Sequence, residues 1–233
     1  MAFTDDLKSE VGGILAAAWS TREGRQVPDT TSIRLGNDAV TLNGTVLYAD
    51  LAESTNLVTR FKPEFVAKVY KCYLNVACRI IRQKNGEITA FDGDRVMAVF
   101  LGDMRSTNAA RAALAIAHAV RHVVNPALRD NFKDLPADFA IKQAVGLDES
   151  ALFIARTGIR NANDLVWVGR AANYAAKLCS LRDGDYGTWI TKAVYDRMDA
   201  TVKTSADGRP MWEARTWTAY SESVFRSNWS WQL

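Results

Sequence analysis

Apolar positions recur along the chain at two spacings, helical and near-continuous, and the switches between them outline the elements. Over residues 5–20, Leu7, Val11, Ile14, Leu15 and Ala18 fall at helical spacing and predict a helix. Gly12-Gly13 weakens it, so it depends on packing, with a second subunit as one candidate. Residues 23–43 are polar and turn-rich and read as a linker. Residues 44–51 are almost continuously apolar, as in a central strand buried on both faces. Pro63 opens the next helix and Asn85-Gly86 closes it, with Phe65, Val69, Tyr73, Val76, Ile80 and Ile81 as one apolar stripe. A tight Asp92-Gly93 turn then leads into a second apolar strand.

The second half repeats the alternation. A helix is predicted from Ser106 through about Val124, stopped by Asn125-Pro126, with 127–136 as loop. Residues 138–147 and 151–155 read as a strand pair, 165–168 as a short strand, 169–181 as a helix and 187–191 as a strand. Trp212, Trp217, Trp229 and Trp231, with the alternation Trp229-Ser-Trp231, predict added edge strands. The order β-α-β-β-α-β predicts an α+β fold with a ferredoxin-like core, an N-terminal helix and extra C-terminal strands. At 233 residues this is one domain with extensions: helix and linker over 1–43, the main domain with its C-terminal strand extension over 44–233.

Composition narrows the function. A 48% hydrophobic, 24% charged chain belongs with soluble globular proteins. Its 29 basic and 26 acidic residues leave only +3, with no Lys/Arg block, which argues against a nucleic-acid partner. Cys72, Cys78 and Cys179 make no metal or disulfide framework and suit a reducing compartment. With no 18-residue apolar run and no basic-then-apolar leader, the expected location is the cytoplasm, without a membrane partner.

The candidate chemistry sits at two strand ends. Gly44-Thr-Val-Leu-Tyr-Ala-Asp50-Leu-Ala-Glu-Ser-Thr55 is an apolar run that breaks at an acid, and Phe91-Asp-Gly-Asp94-Arg presents a second acid at a hairpin. Either alone is an ordinary turn or cap residue. Together, near a loop of backbone N–H groups, two such acids suit divalent cations and a polyphosphate. With Val166-Trp-Val-Gly-Arg-Ala-Ala-Asn173-Tyr-Ala-Ala-Lys177-Leu, these blocks resemble the class III nucleotide cyclases over roughly residues 44–198.

The resemblance implies that Asp50, Asp94 and the Leu51 carbonyl hold two Mg2+ or Mn2+ ions per active site, and that Ala52, Glu53, Ser54 and Thr55 lead the chain to the phosphates. It places Asn173 at the ribose-orienting position and Lys177 where the family carries an Arg, so the charge survives without the bidentate fork. Ala90 and Val166 stand where purine cyclases place base-reading polar groups, and Tyr48 adds bulk towards the base. That departure is similar to the stand-alone pyrimidine cyclases of bacterial anti-phage (Pycsar) systems. It implies UTP, ahead of CTP, as substrate, a homodimer with two shared active sites, and a separate effector protein that reads the cyclic product. The alternatives are an adenylate cyclase with an atypical base pocket and a catalytically weak nucleotide-binding regulatory domain. His118 and His122, four apart, have no third ligand nearby, and Arg156 and Arg160 are treated as surface residues.

Overall fold

The computed structural model describes residues 2–232. In chain order the elements are α1 (Ala2–Ala16), β1 (Ser20–Glu23), β2 (Asp38–Ala52), α2 (Ser54–Arg60), α3 (Pro63–Gln83), β3 (Gly86–Asp92) and β4 (Arg95–Phe100). There follow α4 (Arg105–Ala119), a widened π turn over Val120–Val124, α5 (Asn125–Asn131), β5 (Lys142–Ile159) and β6 (Ala162–Val168). The chain ends with α6 (Arg170–Cys179), β7 (Thr188–Thr191), α7 (Lys192–Arg197), β8 (Glu213–Trp217) and β9 (Glu222–Ser227).

Two compact units are present: residues up to Asn43 with Ala151–Gly169, and Gly44–Ser150 with Arg170 onward. In the first, β1 runs parallel to the opening residues of β2, from Ser20 opposite Asp38 to Glu23 opposite Thr41. β6 runs antiparallel to the second half of β5, from Phe153 opposite Val168 to Ile159 opposite Ala162. The Asn37 amide donates to the carbonyls of Ile14 (3.1 Å) and Ala17 (2.5 Å), supplying partners that the end of α1 would otherwise lack. Arg156 donates to Asn163 Oδ1 at 2.7 Å, a structural duty within this unit.

The second unit carries the core. Its strands lie in the order β3-β4-β2-β5-β7-β9-β8. The first four, with α3 and α4 between them in sequence, form the predicted ferredoxin-like βαββαβ unit. α3 buries Val66, Val69, Tyr73, Ala77, Ile80 and Ile81, and Pro63 sits in its first turn, where the missing N–H has no helical partner to lose. α4 is alanine-rich and buried on nearly every side, which lets it lie close to α3 within one apolar cluster. α6 crosses between the parallel strands β5 and β7 and returns onto β5 at Gly146, where a Cβ would lie 2.1 Å from the Ala175 carbonyl.

Four boundaries differ from expectation. β2 begins at Asp38, within the presumed linker, because its first residues find a partner in β1. Pro126 does not stop the helix: it lies in the first turn of α5, which tolerates it, and the chain stays helical to Asn131. The predicted strand pair at 138–155 is one 18-residue strand, β5, whose two halves pair with different neighbours. Of the tail tryptophans only Trp217 lies in a strand; Trp212 is buried, donating from Nε1 to the Val202 carbonyl at 2.6 Å, and Trp229 and Trp231 pack on the core beyond β9.

Candidate active site

Strand register delivers the two acids to one place. β2 and β4 pair antiparallel from Thr45 opposite Phe100 to Ala49 opposite Val96, and the β3–β4 hairpin turns between Asp92 and Arg95 with Gly93 at φ +61°. Asp50, one residue beyond the last pair of this ladder and two before the end of β2, therefore lies beside the turn that carries Asp94. Asp50 is only 13% exposed. Burial, and then the negative charge of Asp94, push its carboxyl above the ordinary 3.8, with Arg95 and Arg182 pulling the other way. Both guanidiniums lie 3.7 Å from Asp50 Oδ2. Asp94 Oδ2 is buried without a hydrogen-bond partner, as is Arg95 Nε.

A buried carboxylate oxygen without a partner is costly unless something binds it. Two convergent hard oxygen donors of this kind fit Mg2+ or Mn2+, cations that need few protein ligands when water and phosphate complete the shell. Among the described residues no group of three or more His, Cys, Asp or Glu could hold a metal, so backbone and substrate oxygens would supply the rest. Tyr73, fully buried on α3, donates from its hydroxyl to the Asp50 carbonyl at 2.9 Å and so pins the peptide that joins Asp50 to Leu51. Leu51 itself is buried.

Past Leu51 the chain turns sharply. Glu53 adopts the left-handed conformation (φ 60°, ψ 29°), and α2 starts at Ser54, so the span from Ala52 to Thr55 is a tight corner rather than a long loop. Ala52 and Glu53 line a groove of about 1020 Å3, together with Asn125, Lys142, Arg182 and Tyr186.

Asn173 and Lys177 share the exposed face of α6. Lys177 Nζ donates to the Tyr220 hydroxyl and lies 4.5 Å from the centre of that ring. α6 is anchored at its start by Arg170, which forks onto the fully buried Asp148 with two 3.1 Å bonds, and by the Ser150 hydroxyl, which accepts from the Ala171 amide at 3.0 Å. Burial raises the Asp148 carboxyl, against the opposing effects of Thr191, the Glu149 amide and Arg170.

Of the base-facing candidates, Tyr48 and Ala90 both stand opposite Met97, on either side of β4, in one cross-strand row. A bulge between Ile88 and Ala90 sets this register. Val166 lies on β6 in the other unit, opposite Ala155 and 39% exposed. Four residues that the sequence patterns do not single out also belong here: Arg95, Arg182, Tyr73 and Tyr220. Arg95 adjoins Asp94 and is the one a local signal could find; Tyr73 falls within an apolar stripe, and nothing local marks Arg182 or Tyr220. The rings of His118 and His122 lie 4.5 Å apart, tilted by 37°, without a third ligand among the described residues. No described helix is long and apolar enough to cross a membrane.

No protein-family model matches the chain. Curated relatives do: a uridylate cyclase of Xanthomonas perforans is 46% identical and one of Burkholderia cepacia 45% identical, each over 235 residues and the whole of both chains. Among solved structures, a bacterial light-regulated adenylyl cyclase matches with a TM-score of 0.68 at 20% identity, over 83% of this chain and 53% of that one. The guanylyl cyclase Cya2 matches at 0.65 and 17%, over 80% and 91%, so the fold is that of a class III cyclase domain. Full-length identity of this order, on a sheet that brings Asp50 and Asp94 together, leaves one conclusion: the chain is a nucleotidyl cyclase that belongs to the uridylate cyclase family.

Proposed function

We propose that the protein converts UTP to 3′,5′-cyclic UMP and pyrophosphate, with two Mg2+ or Mn2+ ions per site, as a homodimer whose two sites are shared between subunits. The observation that carries this reading is the Asp50–Asp94 pair, electrostatically coupled and left with a buried, unpartnered oxygen. Divalent cations bound there would lower the pKa of the ribose 3′-hydroxyl and neutralise the triphosphate. The chain's own groups do the rest. Asp50 and Asp94 fix the reacting end of the nucleotide, and Tyr73 keeps the Asp50 peptide in place. The corner at Ala52–Thr55 faces the phosphates. From the second subunit, Asn173 orients the ribose, and Lys177, leaving Tyr220, carries positive charge to the α-phosphate.

Ala90 and Val166 offer a base no side-chain hydrogen bond, and Tyr48 narrows the space beside Ala90, which disfavours a purine. The relatives named uridylate cyclase support UTP over CTP. The product would be a second messenger in bacterial anti-phage defence, read by a separate effector in the cytoplasm. The test is mass spectrometry of products from the purified protein with Mn2+ and each of ATP, GTP, CTP and UTP, with Asp50→Ala as control. Cyclic UMP from UTP, absent in the variant, is expected; cyclic AMP as the main product would overturn the reading of the base pocket. Mixing Asp50→Ala with Lys177→Ala chains should restore part of the activity if the sites are shared. No recovery despite proven subunit exchange would count against a shared site.

A further inference from the structure

Arg182 has a position that the metal-site reading leaves unexplained. Its guanidinium lies 3.7 Å from Asp50 Oδ2, an oxygen that Arg95 approaches at the same distance. The two arginines are not equivalent. Arg95 adjoins Asp94 in the hairpin, is 31% exposed and has a buried Nε, so it belongs to the wall of the site. Arg182 is 40% exposed, lines the groove that also contains Ala52 and Glu53, and reaches Asp50 from that open side. Its NH1 donates to the carbonyls of Cys179 (2.7 Å) and Leu181 (2.9 Å) just past α6, while NH2 faces Asp50, so the planar group moves as a whole by exchanging these two backbone bonds.

A cation that coordinates Asp50 sits about 2 Å from its oxygen, inside the space the guanidiniums now neutralise. A divalent ion bound there repels both guanidiniums, and the more exposed of the two, Arg182, has the room to give way. We propose that Arg182 is a triphosphate-binding residue held in reserve: it neutralises Asp50 in the metal-free protein, and once displaced by metal it turns within the groove to bind the β- and γ-phosphates. This rests on the proposed metal site at Asp50 and Asp94. A guanidinium suits the second task because its planar donors match phosphate oxygens bidentately.

The test uses the full chain and two readouts other than turnover: Mn2+ binding by electron paramagnetic resonance, and calorimetric binding of 3′-deoxy-UTP, which lacks the nucleophile, and of UMP. Arg182→Ala should bind Mn2+ alone about tenfold more tightly, because one competing charge near a divalent ion is gone. It should bind 3′-deoxy-UTP about ten- to hundredfold more weakly and UMP unchanged. A purely structural role for Arg182 would not move these in opposite directions. Arg182→Lys, which keeps the charge, should hold Mn2+ affinity at the wild-type level while losing part of the triphosphate affinity, and it carries the test if the alanine variant fails to fold. Wild-type binding of both ligands by Arg182→Ala, or of 3′-deoxy-UTP by Arg182→Lys, overturns the proposal. Failure of the underlying site looks different: Asp50→Asn would then bind Mn2+ as well as wild type.

Discussion

Replacing Tyr73 with Phe removes one oxygen and tests whether the proposed metal site is held from beneath. The ring is fully buried in α3 and stays so, hence no cavity the size of a side chain opens. What is lost is the 2.9 Å bond to the Asp50 carbonyl. A buried acceptor left unsatisfied costs about 1–3 kcal/mol, partly offset because the phenol oxygen no longer needs desolvating. A net loss of about 1–2 kcal/mol is expected, or roughly 2–8 °C in Tm for a chain of this length. Urea unfolding of metal-free protein measures the first figure. The functional consequence is separate: the carbonyl that Tyr73 pins belongs to the peptide between Asp50 and Leu51, so Mn2+ affinity should fall together with stability. Tyr220→Phe, in the exposed turn between β8 and β9, is the control and should change stability by no more than about 0.5 kcal/mol. A Tyr73→Phe protein with unchanged unfolding free energy and unchanged Mn2+ affinity would refute the reasoning, since the bond would then be worth nothing to the strand or to the site.

Three further outcomes are expected. Gly146→Ala should lose about 1–3 kcal/mol in urea unfolding, because its Cβ would meet the Ala175 carbonyl at 2.1 Å and force α6 off β5; wild-type stability would mean that the packing is looser than it looks. Asp50 has a folded-state carboxyl pKa above the ordinary 3.8, so the folded protein binds its proton more tightly than the unfolded chain does. Metal-free stability should therefore fall as pH rises from about 3.8 through that raised value, and the stability of Asp50→Asn relative to wild type should rise across this window and level off above it; a relative stability that falls as pH rises through the window would contradict the sign. Burial, followed by the nearby Asp50 charge, pushes the Cys179 thiol up to about 12, so at pH 8 a thiol-reactive dye should label the exposed Cys72 and leave Cys179 untouched until the protein unfolds; native-state labelling of Cys179, read by peptide mass spectrometry, would disprove its burial.

Much of this molecule is written in near-neighbour patterns. The stripe on α3, the proline in its first turn and the left-handed Asn85 after its end depend on residues within a few positions of each other, so periodicity and turn chemistry located them. The acids at Asp50 and Asp94 are legible for the same reason: Asp50 breaks an apolar run near the end of β2, and Asp94 follows the Gly93 turn just before β4. The composition of the Trp-rich tail favours strands, but Trp229 and Trp231 pack on the core instead, and local composition cannot tell a strand from a segment that covers an apolar face.

By itself, then, the sequence determined the elements of the ferredoxin-like core, the two metal-binding candidates and the family. Only the tertiary structure decided what surrounds the acids. Tyr73 and Arg182 reach Asp50 from α3 and from beyond α6, across 23 and 132 residues, and neither carries a local mark of that duty. The continuity of β5 was decided in the same way, by different partners for its two halves. The physical reason is common to all three: helix and turn preferences act over a few residues, whereas strand register and helix placement on a sheet are set by burying the whole apolar surface at once.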